Sequence, residues 1–485
     1  MTIWSDEPQP AFTRERFLRR AAVAGAAFLV LGRTDAPSFG AITATPTVQT
    51  FVSRPDLSPP VVTVLHRAPG IAPGYLFLAP SSGPGQRGAM IVDDAGELVW
   101  FRPTSPNTVM NLRVALYRGE PVLTWWEGVS EHGLGVGEHV VVDRHYREIA
   151  RFPAGNGLQS DLHELIVTPQ GTAFVTAYDI PTVDLSSVGH GRGRVIEGVV
   201  QEIDIPSAKV RFEWRSLDHV KVTESHAQVA PRFDYFHVNS IDVDSDGNLL
   251  VSARNTWAVY KIDRGNGRVL WRLGGKKSDF AMGNGASFAW QHDARHHGNG
   301  DTLVTLFDNA SAPQVEPQSR GLALALDHRR KRATLVRQYA HRPPMLAHKL
   351  GSVQTQRNGN VLVGWGTEPY FTEYAADGTV LLDATLPRGG QNYRTLRFPW
   401  AGAPSQAPVL VASAGGLFAS WNGSTELASW LPLFGTTESG LAPGSARPKQ
   451  GFETTIQVPA SARFAAVVAL DRGGKQLARS ATVPL

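Results

Sequence analysis

One hairpin pattern recurs along this chain and constrains its fold more than any other feature. Each copy has a strand, a turn centred on glycine, and a second strand of the form Leu/Val-Val-Ser/Thr. Four copies are clear: LHELIVTPQGTAFVTAYD from Leu162, FHVNSIDVDSDGNLLVSARN from Phe236, QHDARHHGNGDTLVTLFDN from Gln291 and HKLGSVQTQRNGNVLVGWG from His348. A weaker fifth copy, LYRGEPVLTWWEG from Leu116, lacks the leading histidine. Such repetition predicts one supersecondary unit stacked several times.

The spacing of the copies indicates which unit is repeated. Consecutive turn glycines lie 52 to 76 residues apart, and second turn signals such as IDRGNGRVLWRLG from Ile262 fall between the hairpins. Two hairpins per repeat are typical of a four-stranded propeller blade with loop insertions. Residues 74–101 supply most of one more blade, which strands near Tyr393 to Phe398 would close. The sequence therefore predicts an all-β protein with a six-bladed β-propeller over residues 45–400.

The two ends of the chain differ from the repeats. Residues 1–44 have the order of a signal peptide, twin-arginine-like or Sec: a basic segment, a short apolar run and then small residues. The apolar run is too short to cross a bilayer, so we expect an exported protein without a transmembrane span. Residues 401–408 (AGAPSQAP) read as a linker, and short alternating strands in 409–485 predict a small β-sandwich of the immunoglobulin or fibronectin type.

The amino-acid composition limits the kinds of catalytic and binding site that this chain can form. The chain has 0 Cys, which excludes disulfides, thiolate catalysis and Cys-based zinc sites. Its net charge is +4, and the densest basic run, HRRKR at 328–332, lies between two strand-like segments and reads as a turn. We therefore expect no nucleic-acid partner. Histidine is left as the main candidate for nucleophilic or acid-base chemistry.

Equivalent positions of the inner hairpins converge on the channel of a propeller. His163, His237, His292 and Lys349 hold such positions, and His348 stands beside the lysine. Three imidazoles and an ammonium should therefore face one pocket.

Local register adds further candidates. If the turn of the Phe236 hairpin is centred between Ser245 and Asp246, Arg254 lies opposite His237. Asn239 would share the face of His237, because side chains alternate along a strand. In the next hairpin Asp308 would lie near His292 and could orient its ring. Among the aromatic residues near the histidines, Trp257 is a candidate for a substrate wall, although core packing explains such residues equally well.

These residue types suit an anionic group rich in oxygen atoms. Arginine forks across two oxygens of a sulfate or phosphate, and the Asn239 amide and the histidine N–H groups supply further donors. Neutral imidazole is abundant near pH 7 and can carry a transferred group. We expect no metal and no cofactor.

Three stretches resemble the arylsulfotransferase (ASST-type) family: DYFHVNSIDVDSDGNLLVSARN, YKIDRGNGRVLWRLGG and WQHDARHHGNGDTLVTLFDNA. The resemblance spans about residues 48–398 and identifies a divergent branch with a C-terminal extension. It implies a six-bladed propeller that transfers a sulfuryl group from an aryl sulfate to a phenol through a sulfohistidine, without a nucleotide sulfate donor. It implies the following roles: His292 as nucleophile, His237, Asn239 and Arg254 as the sulfate-binding set, and His163 as a further active-site histidine.

Two other function classes stay open at this point. Several histidines around a channel could also hold a cation, as in another propeller hydrolase. A non-catalytic exported binding or scaffold protein would use the repeats for shape alone. The sequence does not name the donor and acceptor phenols or the oligomeric state.

Overall fold

Strands dominate the computed structural model, which describes residues 46–131, 133–298 and 302–485. The predicted signal peptide, residues 1–44, lies outside the described residues. The helical segments in the described part are three 3-10 turns, Ser186–Val188, Ser216–Asp218 and Val222–Glu224. The expected all-β class is therefore confirmed.

Up to residue 398, most of the described strands group into six antiparallel four-stranded units, of which the second and third are joined into one sheet by the pairing of Ser160 with Gly137. From the innermost strand outward, the first three consist of Leu396–Phe398, Tyr75–Leu78, Gly88–Val92 and Leu98–Pro103; of Thr108–Tyr117, Glu120–Glu131, Leu134–Val142 and Glu148–Phe152; and of Gln159–Val167, Thr172–Asp179, Arg192–Asp204 and Lys209–Arg215. The other three consist of Val238–Val243, Leu249–Ala253, Ala258–Ile262 and Val269–Gly274; of His292–His297, Leu303–Asp308, Arg320–Asp327 and Arg332–Tyr339; and of Ser352–Thr355, Val361–Gly364, Tyr370–Tyr374 and Val380–Thr385.

The innermost strands form a closed ring, which is a propeller-like arrangement. Each contacts the innermost strand of the next unit, and Leu396–Phe398 contacts Thr108–Tyr117 to complete the circle. The unit at the closure combines both ends of the ring, since Tyr75 pairs with Phe398 as the sequence predicted. Closure of this kind leaves no inner edge strand exposed to another chain.

Large apolar side chains fill the space between neighbouring units. Between the third and fourth units, for example, Phe174, Trp214 and Tyr260 are buried in one cluster with Ile241. Burial of each such side chain stabilises the fold by about 1.5–3 kcal/mol. The ring is therefore held rigidly enough to position side chains at its centre.

The innermost strands are irregular where they enter the ring. Register shifts occur between Val238 and Ser240, and between His292 and Arg295. Backbone angles beside them lie in the left-handed region, with φ of 56° at His237 and 55° at Asp293. Bulges of this kind turn side chains away from simple alternation.

Several short strands extend the units. Thr63–Arg67 pairs with the outer strand Val380–Thr385, and Pro80–Ser82 pairs with Gln391–Asn392. Three more, Thr182–Asp184, Arg232–Asp234 and Ala281–Met282, add to the third and fifth units.

Two further sheets follow residue 408. One consists of Val409–Ser413, Gly416–Ser420 and Glu453–Ile456; the other consists of Ser429–Gly435, Ala442–Pro443, Arg447–Pro448, Phe464–Leu470, Gln476–Arg479 and Val483–Pro484. Their buried faces share one apolar cluster, in which Leu417 and Ile456 of the first meet Trp430 and Val467 of the second.

These sheets contact the ring at several points. Asn422 accepts a hydrogen bond from Phe101 N and donates one to Phe101 O, and Phe452 joins an apolar cluster of the ring. In the predicted linker, Ala403 O lies 2.6 Å from His145 Nδ1. Residues 46–485 accordingly form one compact unit. The part of the chain that the structure describes holds no helix of the length and apolarity that a bilayer crossing requires.

Candidate active site

A cavity of about 550 Å³ opens where the innermost strands of several units begin. It is lined by most of the residues that the sequence singled out: His163, His237, Arg254, His292, His348 and Lys349. The repeat positions therefore bring together His163, His237 and His292, which span 129 residues of the chain.

His292 is held in one orientation. Its ring is 1% exposed, and Nδ1 lies 2.7 Å from Oδ1 of Asn309. The backbone N–H of Leu350 points to Nε2 at 3.3 Å. Burial and the charge of Arg254 keep the pKa of His292 well below its ordinary value. At neutral pH the ring is therefore an uncharged imidazole.

His163 and His237 have carboxylates where His292 has an amide. Nδ1 of His163 lies 2.5 Å from Asp161 Oδ2, and Nδ1 of His237 lies 2.5 Å from Asp234 Oδ2. Because a carboxylate only accepts, each Nδ1 carries the proton, and Nε2 is the nitrogen that can meet a ligand. Burial lowers the pKa of His163, and Asp161 opposes that effect.

Asp161 also links His163 to a long hairpin at the mouth of the cavity. Its Oδ1 accepts the Gly135 N–H at 2.8 Å, and its Oδ2 accepts the Thr176 hydroxyl at 3.0 Å. Burial raises the pKa of Asp161, but His163 and the N–H donors outweigh it and leave that pKa below its ordinary value. The carboxylate is therefore charged and fixed.

The guanidinium of Arg254 is held in place by contacts with its neighbours. Its Cζ lies 4.8 Å from the ring centre of Trp290, and Nη1 donates to Asn255 Oδ1 at 2.9 Å. Nη2 lies 3.4 Å from His348 O. Stacking and hydrogen bonding fix the guanidinium plane at the edge of the cavity.

The predicted pairing of His237 with Arg254 is confirmed, but the register nearer the turn differs from the predicted one by one residue, since Ser240 pairs with Ser252. Val238 pairs with Ala253, and Arg254 N donates to His237 O at 2.9 Å. The expectation that Asn239 shares the face of His237 is wrong. The left-handed backbone at His237 and the adjoining bulge turn Asn239 away from the cavity, where its Nδ2 donates to Gln291 O at 2.6 Å.

Asp308 does not contact His292, and this expectation is also wrong. Phe307 pairs with His292, but the next side chain, Asp308, points to the other side of its strand. There it accepts from Ala289 N and Arg320 Nε, each at 3.0 Å. Burial raises the pKa of Asp308 to about 6. Asn309, one residue later, contacts the ring instead.

Trp257 does not line the cavity of the histidines. Its backbone φ is 53°, and its ring stacks on His226 with centroids 3.7 Å apart. It lines a separate cavity of about 390 Å³. The ring of Trp257 contacts that of Trp290 edge-on, with centroids 5.1 Å apart. Trp257 therefore supports Trp290, on which the Arg254 guanidinium stacks.

The floor beneath the histidines is a buried charge network centred on Arg394. Arg394 Nη1 donates to Glu164 Oε1 and Asn111 Oδ1, each at 2.8 Å, and Nη2 donates to Asn239 O at 3.0 Å. Nε lies 3.1 Å from Asp293 Oδ1. These four acceptors belong to four different innermost strands, so one guanidinium joins most of the ring.

Sequence reasoning missed Asp161, Asp234, Asn309 and Arg394. For the two aspartates a signal existed, because each lies two or three residues before its histidine. No grouping of three or more His, Asp or Glu side chains that could hold a metal ion is found among the described residues.

Comparison with known families gives a match over residues 113–386, to arylsulfotransferase (ASST). That range covers more than half of the 485 residues. The chain belongs to the arylsulfotransferase (ASST) family. The match to the ASST family includes His163, His237, Arg254 and His292, whereas Arg394 lies beyond it.

Other comparisons of this ASST family protein give weaker likenesses. No curated protein matches it. Among solved structures, a protein of unknown function from Bacteroides caccae is similar at 15% identity, with 67% of this chain and 98% of that chain covered and a TM-score of 0.42. A catalytically inactive virginiamycin B lyase from Staphylococcus aureus with quinupristin is similar at 10% identity, with 75% and 96% covered and a TM-score of 0.36.

Proposed function

We propose that this ASST family protein transfers a sulfuryl group from an aryl sulfate to an acceptor phenol through a sulfohistidine at His292. The observation that carries the proposal is the state of His292: an uncharged ring, protonated at Nδ1, beside two cationic side chains, Arg254 and Lys349. A neutral imidazole is a competent nucleophile at ambient pH, and the cations attract a sulfate ester.

In the first half-reaction the Nε2 lone pair attacks the sulfur atom of the donor. The bond between sulfur and the aryl oxygen breaks, and its electron pair leaves on the phenolate. Arg254 N–H groups, and Nε2 of His237 when it carries a second proton, hold the sulfuryl oxygens as charge moves onto them. Lys349 donates a proton to the departing oxygen, so that a neutral phenol leaves the cavity.

In the second half-reaction the acceptor phenol gives its proton to Nε2 of His163, and its oxygen attacks the sulfur atom. The bond between sulfur and Nε2 of His292 breaks, and its electron pair returns to the ring. Asp161 holds His163 in the tautomer that accepts this proton. Exchange with solvent resets Lys349 and His163 for the next cycle.

We further propose that the six four-stranded units are six propeller blades and that the two C-terminal sheets form a small sandwich. We propose an exported protein whose first 44 residues act as a signal peptide. Purification from the culture medium, followed by N-terminal sequencing, tests the export. A mature protein that still begins at Met1 would contradict it.

The covalent intermediate is the direct test of the proposed function. Protein mixed with an aryl sulfate and no acceptor, quenched and digested, is expected to give a sulfuryl adduct on the peptide that contains His292. Initial rates with both substrates varied are expected to give parallel double-reciprocal lines. The control is His292→Ala, which should give no adduct. An adduct on another histidine, or intersecting lines, would contradict the assignment.

Arg254→Lys is expected to lower kcat/KM for an aryl sulfate by about 100-fold, the usual cost of one lost oxyanion donor. The compact ammonium keeps the charge but has neither the planar fork nor the stacking on Trp290. The fold should be unaffected by circular dichroism. The matched control is the exposed Arg147→Lys, which should leave kinetics unchanged. An unchanged kcat/KM for Arg254→Lys would remove this residue from the site.

A further inference from the structure

The hydrogen bonds of Asn309 determine which way its amide points. The side chain is fully buried, and both protons of Nδ2 are donated: one to Ala347 O and one to Leu350 O, each at 2.9 Å. Backbone carbonyls only accept, so this end of the amide must be the NH₂ group. Oδ1 is therefore the atom that faces His292, at 2.7 Å from Nδ1.

This orientation settles the tautomer of His292. Because Oδ1 only accepts, Nδ1 of His292 must carry the ring proton, and the lone pair of a neutral ring must lie on Nε2. The Leu350 N–H, at 3.3 Å from Nε2, is consistent with that assignment, since a donor points to a lone pair. Asn309 thus fixes both the ring proton and, through Ala347 O and Leu350 O, the segment that supplies this donor.

The segment beside the nucleophile is held in an unusual conformation. Leu350 has a φ of 66°, in the left-handed region that a leucine rarely adopts. Its carbonyl is tied to Asn309, and its N–H points to Nε2 of His292. A sulfuryl group bonded to Nε2 would take the place of this N–H at the lone pair and bring the sulfuryl oxygens next to it.

The histidines of the cavity differ in the charge of the group behind them. Asp161 lies behind His163 and Asp234 lies behind His237, whereas His292 has only a neutral amide. His348, at the exposed side of the cavity, has the Ser311 hydroxyl at Nδ1. A carboxylate at Nδ1 stabilises the imidazolium, and a protonated Nε2 cannot attack sulfur. A neutral acceptor orients the ring without adding proton affinity.

The remaining charges around His292 favour the neutral ring. The titratable or charged side chains that line the same cavity are Arg254, Lys349, His163, His237, His348 and Asp234. The adjacent Asp293 is directed below the cavity, where it accepts from Val353 N and Arg295. Asp161 is engaged by His163.

From this geometry we infer that Asn309 is a positioning residue, which selects the nucleophilic tautomer of His292 and places the Leu350 N–H to meet the sulfuryl oxygens. The catalytic part of this inference rests on the proposed function, whereas the tautomer assignment does not.

The test of the tautomer requires no turnover. Protein labelled with ¹⁵N-histidine, with the His292 signals assigned by comparison with His292→Ala, is expected to show a protonated Nδ1 and an unprotonated Nε2. The opposite pattern, or rapid exchange between the two, would overturn the inference even if sulfuryl transfer is observed. A correct tautomer without any transfer would instead count against the proposed function alone.

The test of the positioning role is Asn309→Asp. A carboxylate accepts from Nδ1 as the amide does, but it also stabilises the imidazolium. The acidic limb of the pH profile, where kcat/KM for an aryl sulfate falls as His292 is protonated, is therefore expected to move up by about one pH unit or more. Between the limb of the variant and that of the parent, kcat/KM of the variant should fall tenfold per pH unit while that of the parent stays level. Asn309→Ser, which keeps a neutral acceptor, should leave the limb in place with a lower plateau.

Ser319→Ala is the matched structural control. The Ser319 hydroxyl donates to Asn309 O and accepts from Ala347 N, so it joins the same two segments without touching the imidazole. Its loss is expected to lower stability and leave the acidic limb unmoved. If Asn309→Asp is folded and its limb stays where the parent's lies, or if Ser319→Ala moves the limb equally, Asn309 has only a structural role.

Discussion

His292→Gly is expected to lower turnover of an aryl sulfate by a factor on the order of 10⁴ or more, as removal of a catalytic nucleophile does elsewhere. The reason is that the rings of His163 and His237 each have a carboxylate at Nδ1, whereas buried His292 has the neutral Asn309 amide there. The other residues would still bind the donor. The loss should therefore fall on kcat more than on KM.

Added imidazole is expected to restore part of the activity of His292→Gly. The missing side chain leaves space inside a cavity of about 550 Å³, and Asn309 Oδ1 would still accept a hydrogen bond from a free imidazole. Rescue should saturate with imidazole concentration and follow the neutral form of the added base. Such rescue separates a chemical role from a structural one.

His296→Gly is the matched control for this experiment. His296 lies on the same innermost strand, but its Nδ1 is 2.6 Å from Asp242 Oδ2 and it lines a different cavity. Its loss should leave kcat within a few-fold of the parent, with no response to imidazole. Equal activity of His292→Gly and the parent would exclude His292 as the nucleophile.

The sequence predicted the location of the site better than its internal contacts. The count from the turn placed Arg254 opposite His237, as observed, although the register next to the turn differs from that count by one residue and the bulge between Val238 and Ser240 compensates for the difference. The predicted direction of the Asn239 side chain was wrong, because the left-handed backbone at His237 interrupts the alternation of side chains along the strand. The residue types at this position do not predict such a bulge, since histidine does not require a positive φ.

Side-chain contacts between different four-stranded units could not be predicted from the sequence of one hairpin. The partner of His292 is 17 residues away, in the predicted hairpin, and the count erred by only one residue, from Asp308 to Asn309. The acceptors of Arg394 are 101 to 283 residues away, on strands that meet only after the ring has closed. Repeat spacing predicts that such strands converge, but not which side chains fill the centre.

Arg394→Met is expected to lower the free energy of unfolding by about 3–5 kcal/mol, the usual cost of removing one partner from a buried ion pair. Arg394 is 3% exposed, and its guanidinium is paired with Glu164, which is fully buried. Arg295 Nη2 remains 2.6 Å from Glu164, so the carboxylate is not left wholly unpaired. Asn111 and Asn239 would each lose a donor in addition.

The surface pair of Arg147 and Asp143 provides the contrast. Its nitrogen-to-oxygen distance is 2.7 Å, but the Arg147 side chain is 63% exposed. Arg147→Met should therefore change stability by no more than about 1 kcal/mol, because solvent screens an exposed pair. Chemical denaturation followed by near-ultraviolet circular dichroism measures both variants. Equal stability losses in the two would show that burial does not govern the Arg394 network.

A double-variant cycle separates the charge of Arg394 from its role as a link between strands. In Arg394→Met with Glu164→Gln, the carboxylate that lost its partner is itself neutral, so part of the stability should return. What does not return measures the lost donors to Asn111, Asn239 and Asp293, together with the Glu164 charge that Arg295 no longer meets. Because Asn239 O also accepts the Tyr393 hydroxyl at 3.0 Å, the same loss should loosen the floor of the cavity. The double variant is therefore expected to regain stability without regaining the parent kcat, whereas recovery of both together would mean that Arg394 contributes charge balance alone.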